Sequence, residues 1–285
     1  MTETGSNGGC GTLYLVATPI GNLEDISQRA LRILQEVDLV AAEDTRHSRK
    51  LFNHYGIGTP LTSYFQHNEA AKGQRIIEAL RQGKSVALIS DAGTPAISDP
   101  GCLLVQSCHE AGIPVSAIPG PSALIAALSM AGLSTERFAF EGFLPARTHA
   151  RRQLLRSLQN EMRTLVFYEA PHRLAAALQD VRAELGEERS VAVVRELTKV
   201  HEELFRGTAA EACAHFAGKV RGEIVLLIAP PKATAPEESV REALQRWREE
   251  TDLPLSKIAR KLAREYGLSG SEIYREGLAL QDEEE

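Results

Sequence analysis

The chain reads as an α/β protein: two α/β domains with a small all-helical unit at the C-terminal end. Three observations predict this. Short apolar runs alternate with stretches whose apolar residues recur at helical spacing, the pattern of successive βα units and of a largely parallel, doubly wound sheet. Gly, Pro, Asp and Asn gather where the apolar runs end, as turns require. Finally, Pro230-Pro231-Lys232-Ala233-Thr234-Ala235-Pro236 reads as a stiff linker, and only helical periodicity follows it.

The 285 residues suffice for about two domains, and 43% hydrophobic with 25% charged residues is an ordinary globular composition. No apolar stretch approaches the roughly 18 residues of a membrane span. The weakly polar run 123–133 suits a core helix. Residues 1–11 are polar and Gly-rich, without the basic start and apolar centre of a signal peptide; they are expected to be a disordered leader. Cys10, Cys102, Cys108 and Cys213 form no CxxC pair and no zinc-ligand spacing, so the expectation is a reduced, cytoplasmic protein with no metal.

The net charge of −6 does not advertise nucleic-acid binding. Local charge is less uniform. Asp282, Glu283, Glu284 and Glu285 make an acidic end. Arg147, Arg151, Arg152, Arg156 and Arg163 face a single acid, Glu161, and Arg46, Arg49 and Lys50 form a second basic group. Residues 241–265 carry a third. Each is either a solvated helix face or a phosphate site; three together raise the nucleic-acid reading.

The first domain is expected over residues 12–145. A strand at 13–17 is broken by Thr18-Pro19-Ile20-Gly21-Asn22. Asp25 and Gln28 resemble a capping box before a helix with Ala30, Ile33, Leu34 and Val37 on one face. A strand at 38–42 ends in Glu43-Asp44-Thr45-Arg46-His47, and the next helix stops at Gly56. A strand at 61–65, a helix at 70–82 and a strand at 86–89 lead into Ser90-Asp91-Ala92-Gly93-Thr94-Pro95-Ala96-Ile97-Ser98-Asp99-Pro100-Gly101. Ligands collect at the carboxyl ends of strands in such sheets, so this loop is a binding candidate. A helix at 102–111, a strand at 115–118, the turn Pro119-Gly120-Pro121-Ser122, a helix at 123–131 and a strand at 138–143 complete the domain.

The second domain is expected over 146–230, beginning with the Arg-rich connector helix. Strands at 164–168, 191–194, 203–205 and 223–229 alternate with helices at 174–185 and 209–216. After the linker at 231–236, the tail at 237–285 has apolar faces at Val240, Leu244, Trp247 and at Leu255, Ile258, Ala259, Leu262. Its helices around Gly267-Leu268-Ser269-Gly270 resemble a helix-turn-helix, or equally a dimerisation or capping bundle.

Several chemistries are excluded. There is no P-loop and no GxSxG elbow, and Gly9-Cys10-Gly11 precedes the first strand, so it is no dinucleotide fingerprint. What remains is a set of polar strand-end loops contributed by both domains, which suggests a cleft between them.

Eight motifs, in order, are specific: LYLVATPIGNLEDIS, AAEDTRHS, SDAGTPAISDPG, PGPSA, FEGFLP, FYEAPHR, RELTKVHEE and GEIVLLI. Together, over residues 13–229, they resemble the ribosomal RNA small subunit methyltransferase I family, one of the tetrapyrrole-methylase-like (class III) S-adenosylmethionine methyltransferases. The tail resembles that family's helical unit more loosely. The resemblance implies two domains of the tetrapyrrole-methylase type with the cofactor between them. It implies methyl transfer from S-adenosylmethionine to the ribose 2′-hydroxyl of a decoding-centre cytidine in small-subunit ribosomal RNA, by a cytoplasmic homodimer. As cofactor contacts it points to Pro19, Asp91, Ala92, Gly93, Ile97, Ser98, Ser122, Ala123, Tyr168, Glu169, Ala170, Gly222, Glu223 and Ile224.

A 2′-hydroxyl is a weak nucleophile that a proton acceptor would help. Glu43, Asp44 and Arg46 are the candidates, with a carboxylate accepting the proton and Arg46 orienting it or a phosphate; Asp44 suits a helix N-cap equally well. Arg49, Lys50, Arg147, Arg151, Arg152 and Arg156 are the candidate RNA contacts. The alternatives are a methylase of corrin or sirohaem precursors, and a non-catalytic RNA-binding or ribosome assembly factor.

Overall fold

The computed structural model describes residues 9–232, 238–251, 253–266 and 268–284, and the chain divides into two compact units at Pro230/Pro231. The expected leader therefore lies outside the described residues up to residue 8, and the expected linker from residue 233 to 236. Gly11 already belongs to the fold: it is buried, and its N–H donates to the Leu80 carbonyl at 2.7 Å.

The first sheet holds β1 (Leu13–Val16), β2 (Leu39–Ala42), β3 (Leu61–Ser63), β4 (Val86–Ile89) and β5 (Val115–Ile118). Their order is β3-β2-β4-β1-β5, all parallel, with Leu13 opposite both Val86 and Val115. Helices α1 (Gln28–Glu36), α2 (Thr45–Tyr55), α3 (Glu69–Arg81) and α4 (Cys102–Glu110) make the crossovers, and α5 (Ala123–Met130) leads from β5 to the second sheet. The sheet reverses its order beside β1 and β4, so the loops after these strands open at the switch point where α/β proteins bind ligands. Local chemistry sets the helix limits. Gly56 ends α2 in the left-handed region at φ 63°. Ser27, not Asp25, caps α1, accepting from the Ala30 N–H at 3.1 Å; Asp25 closes a short 3₁₀ turn capped by Asn22.

The second sheet holds β6 (Phe138–Phe143), β7 (Thr164–Glu169), β8 (Ser190–Arg195), β9 (Glu203–Thr208) and β10 (Ile224–Ile228), with α6 (Thr148–Ser157), α7 (Leu174–Leu185) and α8 (Ala209–His215). Its order is β6-β7-β10-β8-β9. Two expectations change here. Only β6 and β7 are parallel; β7, β10, β8 and β9 pair antiparallel. The connection from β8 to β9 is too short for a crossover, and such a link permits only an antiparallel pair. In addition, β6 pairs with β7 from Phe138 opposite Thr164, so it belongs to this sheet rather than to the first domain. The Arg-rich α6 is the crossover of that βαβ unit.

Helix α5 is packed against the second sheet. Leu124, Ala127 and Leu128, with Ile20, bury against Val166, Ala192, Val194, Val225 and Leu227. This shared apolar layer holds the strand-end loops of both domains in one arrangement. The C-terminal unit comprises α9 (Val240–Glu250), α10 (Leu255–Tyr266) and α11 (Gly270–Glu284). They close on their own core of Leu244, Ile258, Leu262, Ile273 and Leu280. The acidic end continues α11 to Glu284, and Glu285 lies outside the described residues. No described helix is long and apolar enough to cross a membrane.

Candidate active site

A cleft of about 450 Å³ opens between the two domains. Its first-domain wall is the loop after β4, with Asp91, Ala92, Gly93, Ile97 and Ser98, and the start of α5, with Ser122 and Ala123. Its second-domain wall is Tyr168, Glu169 and Ala170 after β7, and Gly222, Glu223 and Ile224 entering β10. Thirteen of the fourteen residues singled out as cofactor contacts thus surround one cavity. The fourteenth, Pro19, lines an adjoining lobe of about 520 Å³ that shares Ile20, Asp91, Ala92 and Glu223 with the first. Sequence reasoning missed Ile20, Phe143, Leu197 and Val225 as lining. An aromatic residue in FEGFLP was the one available signal. Phe143 is 55% exposed, and its ring lies edge-on to Tyr168 at 5.6 Å.

The loops are held in costly conformations. Ala96 (φ 66°) and Ser98 (φ 63°) in one domain, and Glu196 (φ 53°) and Thr198 (φ 65°) in the other, are left-handed without being glycine. Each costs on the order of 1–3 kcal/mol and persists only where neighbours enforce it. The enforcing contacts are present. Thr18 and Gly93 exchange backbone hydrogen bonds of 2.9 and 3.0 Å, and the Thr18 hydroxyl donates to the Ser90 carbonyl. The Thr198 hydroxyl accepts from the Asn22 N–H at 3.0 Å, joining the two domains. At Gly222 (φ 91°) a Cβ would stand 2.3 Å from the Glu196 carboxylate, so glycine is required there.

The ionisable lining of the main cleft is acidic. Burial, then the nearby charges of Asp99 and Asp91, hold the Glu43 carboxyl above its ordinary value. Burial also raises Asp99, against a hydrogen bond from Ser90. Asp91 Oδ1 accepts from the Asp44 N–H at 3.0 Å. Glu169 is 2% exposed; its Oε1 pairs with Arg173 at 2.8 Å and accepts from the Ala170 N–H, while its Oε2 is buried without a partner among the described residues.

The candidates around α2 separate. Glu43 faces the cleft; Asp44 and Arg46 are outside its lining. Asp44 is the N-cap of α2, accepting from the Arg46 N–H, and the Arg46 guanidinium holds its carboxyl down at about 2. A carboxylate of that acidity is a weak proton acceptor.

The arginines also separate. Arg151 is 3% exposed and paired with Asp180 at 2.6 Å, and it donates to the carbonyls of Pro145 and Ala146. It is a buried structural group, withdrawn from any phosphate. Arg152 shares Asp180, and Arg156 pairs with Glu184. Arg147, Arg49 and Lys50 are exposed, and Lys50 lines the second lobe together with His47.

Two sheets joined through α5, with strand-end loops from both around one cleft, define the class. The family of Tetrapyrrole (Corrin/Porphyrin) Methylases matches residues 12–213. Among solved structures, diphthine synthase superposes with a TM-score of 0.61 at 15% identity, covering 77% of this chain and 90% of that one. The uroporphyrin-III C-methyl transferase of Thermus thermophilus complexed with S-adenyl homocysteine gives 0.55 at 21%, covering 77% and 97%. These likenesses are of fold. Within the class, the chain belongs to the ribosomal RNA small subunit methyltransferase I family. It is 49% identical to the member from Synechocystis sp. over 95% of this chain and 99% of that one. It is 50% identical to the member from Pseudomonas aeruginosa, over 95% and 98%.

Proposed function

We propose that the chain is an S-adenosylmethionine-dependent methyltransferase of small-subunit ribosomal RNA. Its acceptor is the ribose 2′-hydroxyl of a decoding-centre cytidine. The observation that carries this reading is near-full-length identity of about 50% to relatives named ribosomal RNA small subunit methyltransferase I; the cytidine 2′-oxygen as acceptor is what the motif resemblance implies. The cleft supports it. Its volume lies in the range of small-molecule sites. Ile20, Ile97, Phe143, Leu197 and Val225 offer an apolar bed for an adenine. The carboxylates Glu43, Asp91, Asp99, Glu169 and Glu223 suit a cationic ligand, and the unpartnered Glu169 Oε2 is a vacant acceptor.

When bound, S-adenosylmethionine supplies a methyl group on a sulfonium, transferable to oxygen by in-line displacement. The protein's task is alignment and exclusion of water. The strained loops, braced by the Thr18–Gly93 and Asn22–Thr198 contacts, provide the rigidity that alignment needs. Of the two candidate carboxylates, Glu43 is the group to accept the hydroxyl proton, because it faces the cleft and its carboxyl is raised above its ordinary value, whereas Asp44 is held down by Arg46. RNA phosphates are met by exposed cations including Arg147, Arg49 and Lys50. The working form is a cytoplasmic homodimer acting on the RNA or the assembled small subunit.

The test is incubation with methyl-labelled S-adenosylmethionine and either undermethylated small subunits or tetrapyrrole precursors. Label on a cytidine 2′-oxygen is the expected outcome. Label on the macrocycle would overturn the substrate, and label on neither would leave a non-catalytic binding protein.

A further inference from the structure

We infer that the second lobe of the cleft is the seat of the acceptor nucleotide, with Lys199 meeting its ribose and Lys50 and His47 its phosphate. The inference rests on the reading above and extends it to named residues.

The two lobes differ in charge. The main lobe presents carboxylates and no Lys, Arg or His. The second keeps Asp91 and Glu223 from the shared wall and adds His47, Lys50 and Lys199. A phosphodiester finds no cation in the lining of the first lobe and two lysines, Lys50 and Lys199, in that of the second, whereas a sulfonium suits the first. Because the lobes share Ile20, Asp91, Ala92 and Glu223, ligands seated in both meet along that wall.

Lys199 stands at the junction. Its Nζ lies 2.8 Å from Glu196 Oε1 and 3.0 Å from Glu223 Oε2. An ammonium has three donors, and two are committed. The third can serve a hydroxyl, and the two carboxylates make the group better suited to a neutral ribose than to a phosphate. The stem is fixed as well: a Cβ on Gly21 would stand 2.5 Å from Lys199 Cγ, so the backbone after β1 rests directly on it. Its neighbour Thr198 is left-handed and bonded across the domains to Asn22. Lys50 and His47, on the first turns of α2, are exposed at the wall of the same lobe and make no ion pair among the described residues. The Lys50 ammonium and the His47 ring N–H are available to an incoming anion.

The experiment uses the full chain with Lys50→Ala, Lys50→Arg, Lys199→Ala and Lys199→Arg. Three quantities are read: S-adenosylhomocysteine affinity by calorimetry, affinity for undermethylated small subunits without cofactor across a salt series, and methyl-transfer kinetics. Loss of one charge-assisted contact is expected to raise the subunit KM and Kd of Lys50→Ala roughly tenfold. It should also flatten the salt slope by about 1, with Lys50→Arg restoring both. Lys199→Ala is expected to lose kcat roughly tenfold or more with cofactor affinity retained, and Lys199→Arg to recover part. Unchanged subunit affinity and KM in Lys50→Ala overturns the assignment. So does a Lys199→Ala variant whose only defect is cofactor binding, since Lys199 would then merely pin its loop. No label transfer by the unsubstituted chain overturns the functional reading itself, and the inference with it.

Discussion

The Asp91 carboxylate accepts the backbone N–H of Asp44 at 3.0 Å. Forty-seven residues apart in the chain, the loop after β4 and the start of α2 are tied into one wall of the cleft. Asp91→Ala leaves that N–H without its acceptor and is expected to cost about 1–3 kcal/mol in urea unfolding of the α/β unit. Asp91→Asn keeps an acceptor oxygen and should retain most of the stability. If both variants lose S-adenosylhomocysteine affinity equally while only alanine loses stability, Asp91 also contacts the cofactor.

Glu43 carries the clearest pH signature. Burial and the charges of Asp99 and Asp91 raise its carboxyl above 4.5. As proton acceptor it must be ionised, so kcat should rise with pH through an inflection above that ordinary value. Glu43→Gln should abolish the inflection and reduce kcat by about 10²–10⁴. The stability effect has the opposite sense. A raised value means that the favourable contribution of protonated Glu43 is present below about 4.5 and lost as pH rises through the folded-state value. At neutral pH, Glu43→Gln should therefore melt no lower than the unsubstituted chain. A melting point well below it would place Glu43 in a structural role.

Asp44 provides the contrast. Its carboxyl is held at about 2, so its contribution to α2 is present above the ordinary 3.8 and lost as pH falls through about 2. Asn is as good an N-cap as Asp, so Asp44→Asn should keep both fold and single-turnover methylation. Asp44→Ala should lower the melting temperature. A folded Asp44→Asn protein that binds RNA but transfers no methyl group would restore Asp44 to the chemistry.

Arg151 and Asp180 are each 3% exposed at the side chain. Removing Arg151 leaves the buried Asp180 with Arg152 as its one remaining ion-pair partner, so Arg151→Met is expected to cost about 1–3 kcal/mol in denaturant unfolding. Arg147→Ala, on an exposed residue of the same segment, should leave stability unchanged and weaken RNA binding with a shallower salt dependence. An Arg151→Met protein of normal stability with selectively weakened RNA binding would reverse this division.

Much of the site was legible before the fold. Gly93, Ser122, Tyr168 and Gly222 sit in turn-rich motifs after or before apolar runs, and such motifs report local backbone needs. Glu43 and Asp44 were indistinguishable in AAEDTRHS, because two adjacent carboxylates at a strand end look alike until one faces a cavity and the other caps a helix. Arg151 and Arg147 were likewise equivalent in an Arg-rich run. Burial depends on Asp180, contributed by another helix. The assignment of β6 was misread for the same reason, since strand pairing is a contact between distant segments.

The sequence by itself determined the alternation of strands and helices, the turns where ligands can approach, and the family. These follow from side-chain periodicity and from Gly, Pro and Asp chemistry within a few residues. Only the tertiary structure decided which carboxylate stays ionised as a cap and which is desolvated, which arginine is buried, and that one lobe of the cleft is lined by carboxylates alone while the second adds lysines to them. Each of those properties is set by desolvation and by Coulomb interaction between groups far apart in the chain, and these exist only once the two sheets are packed together.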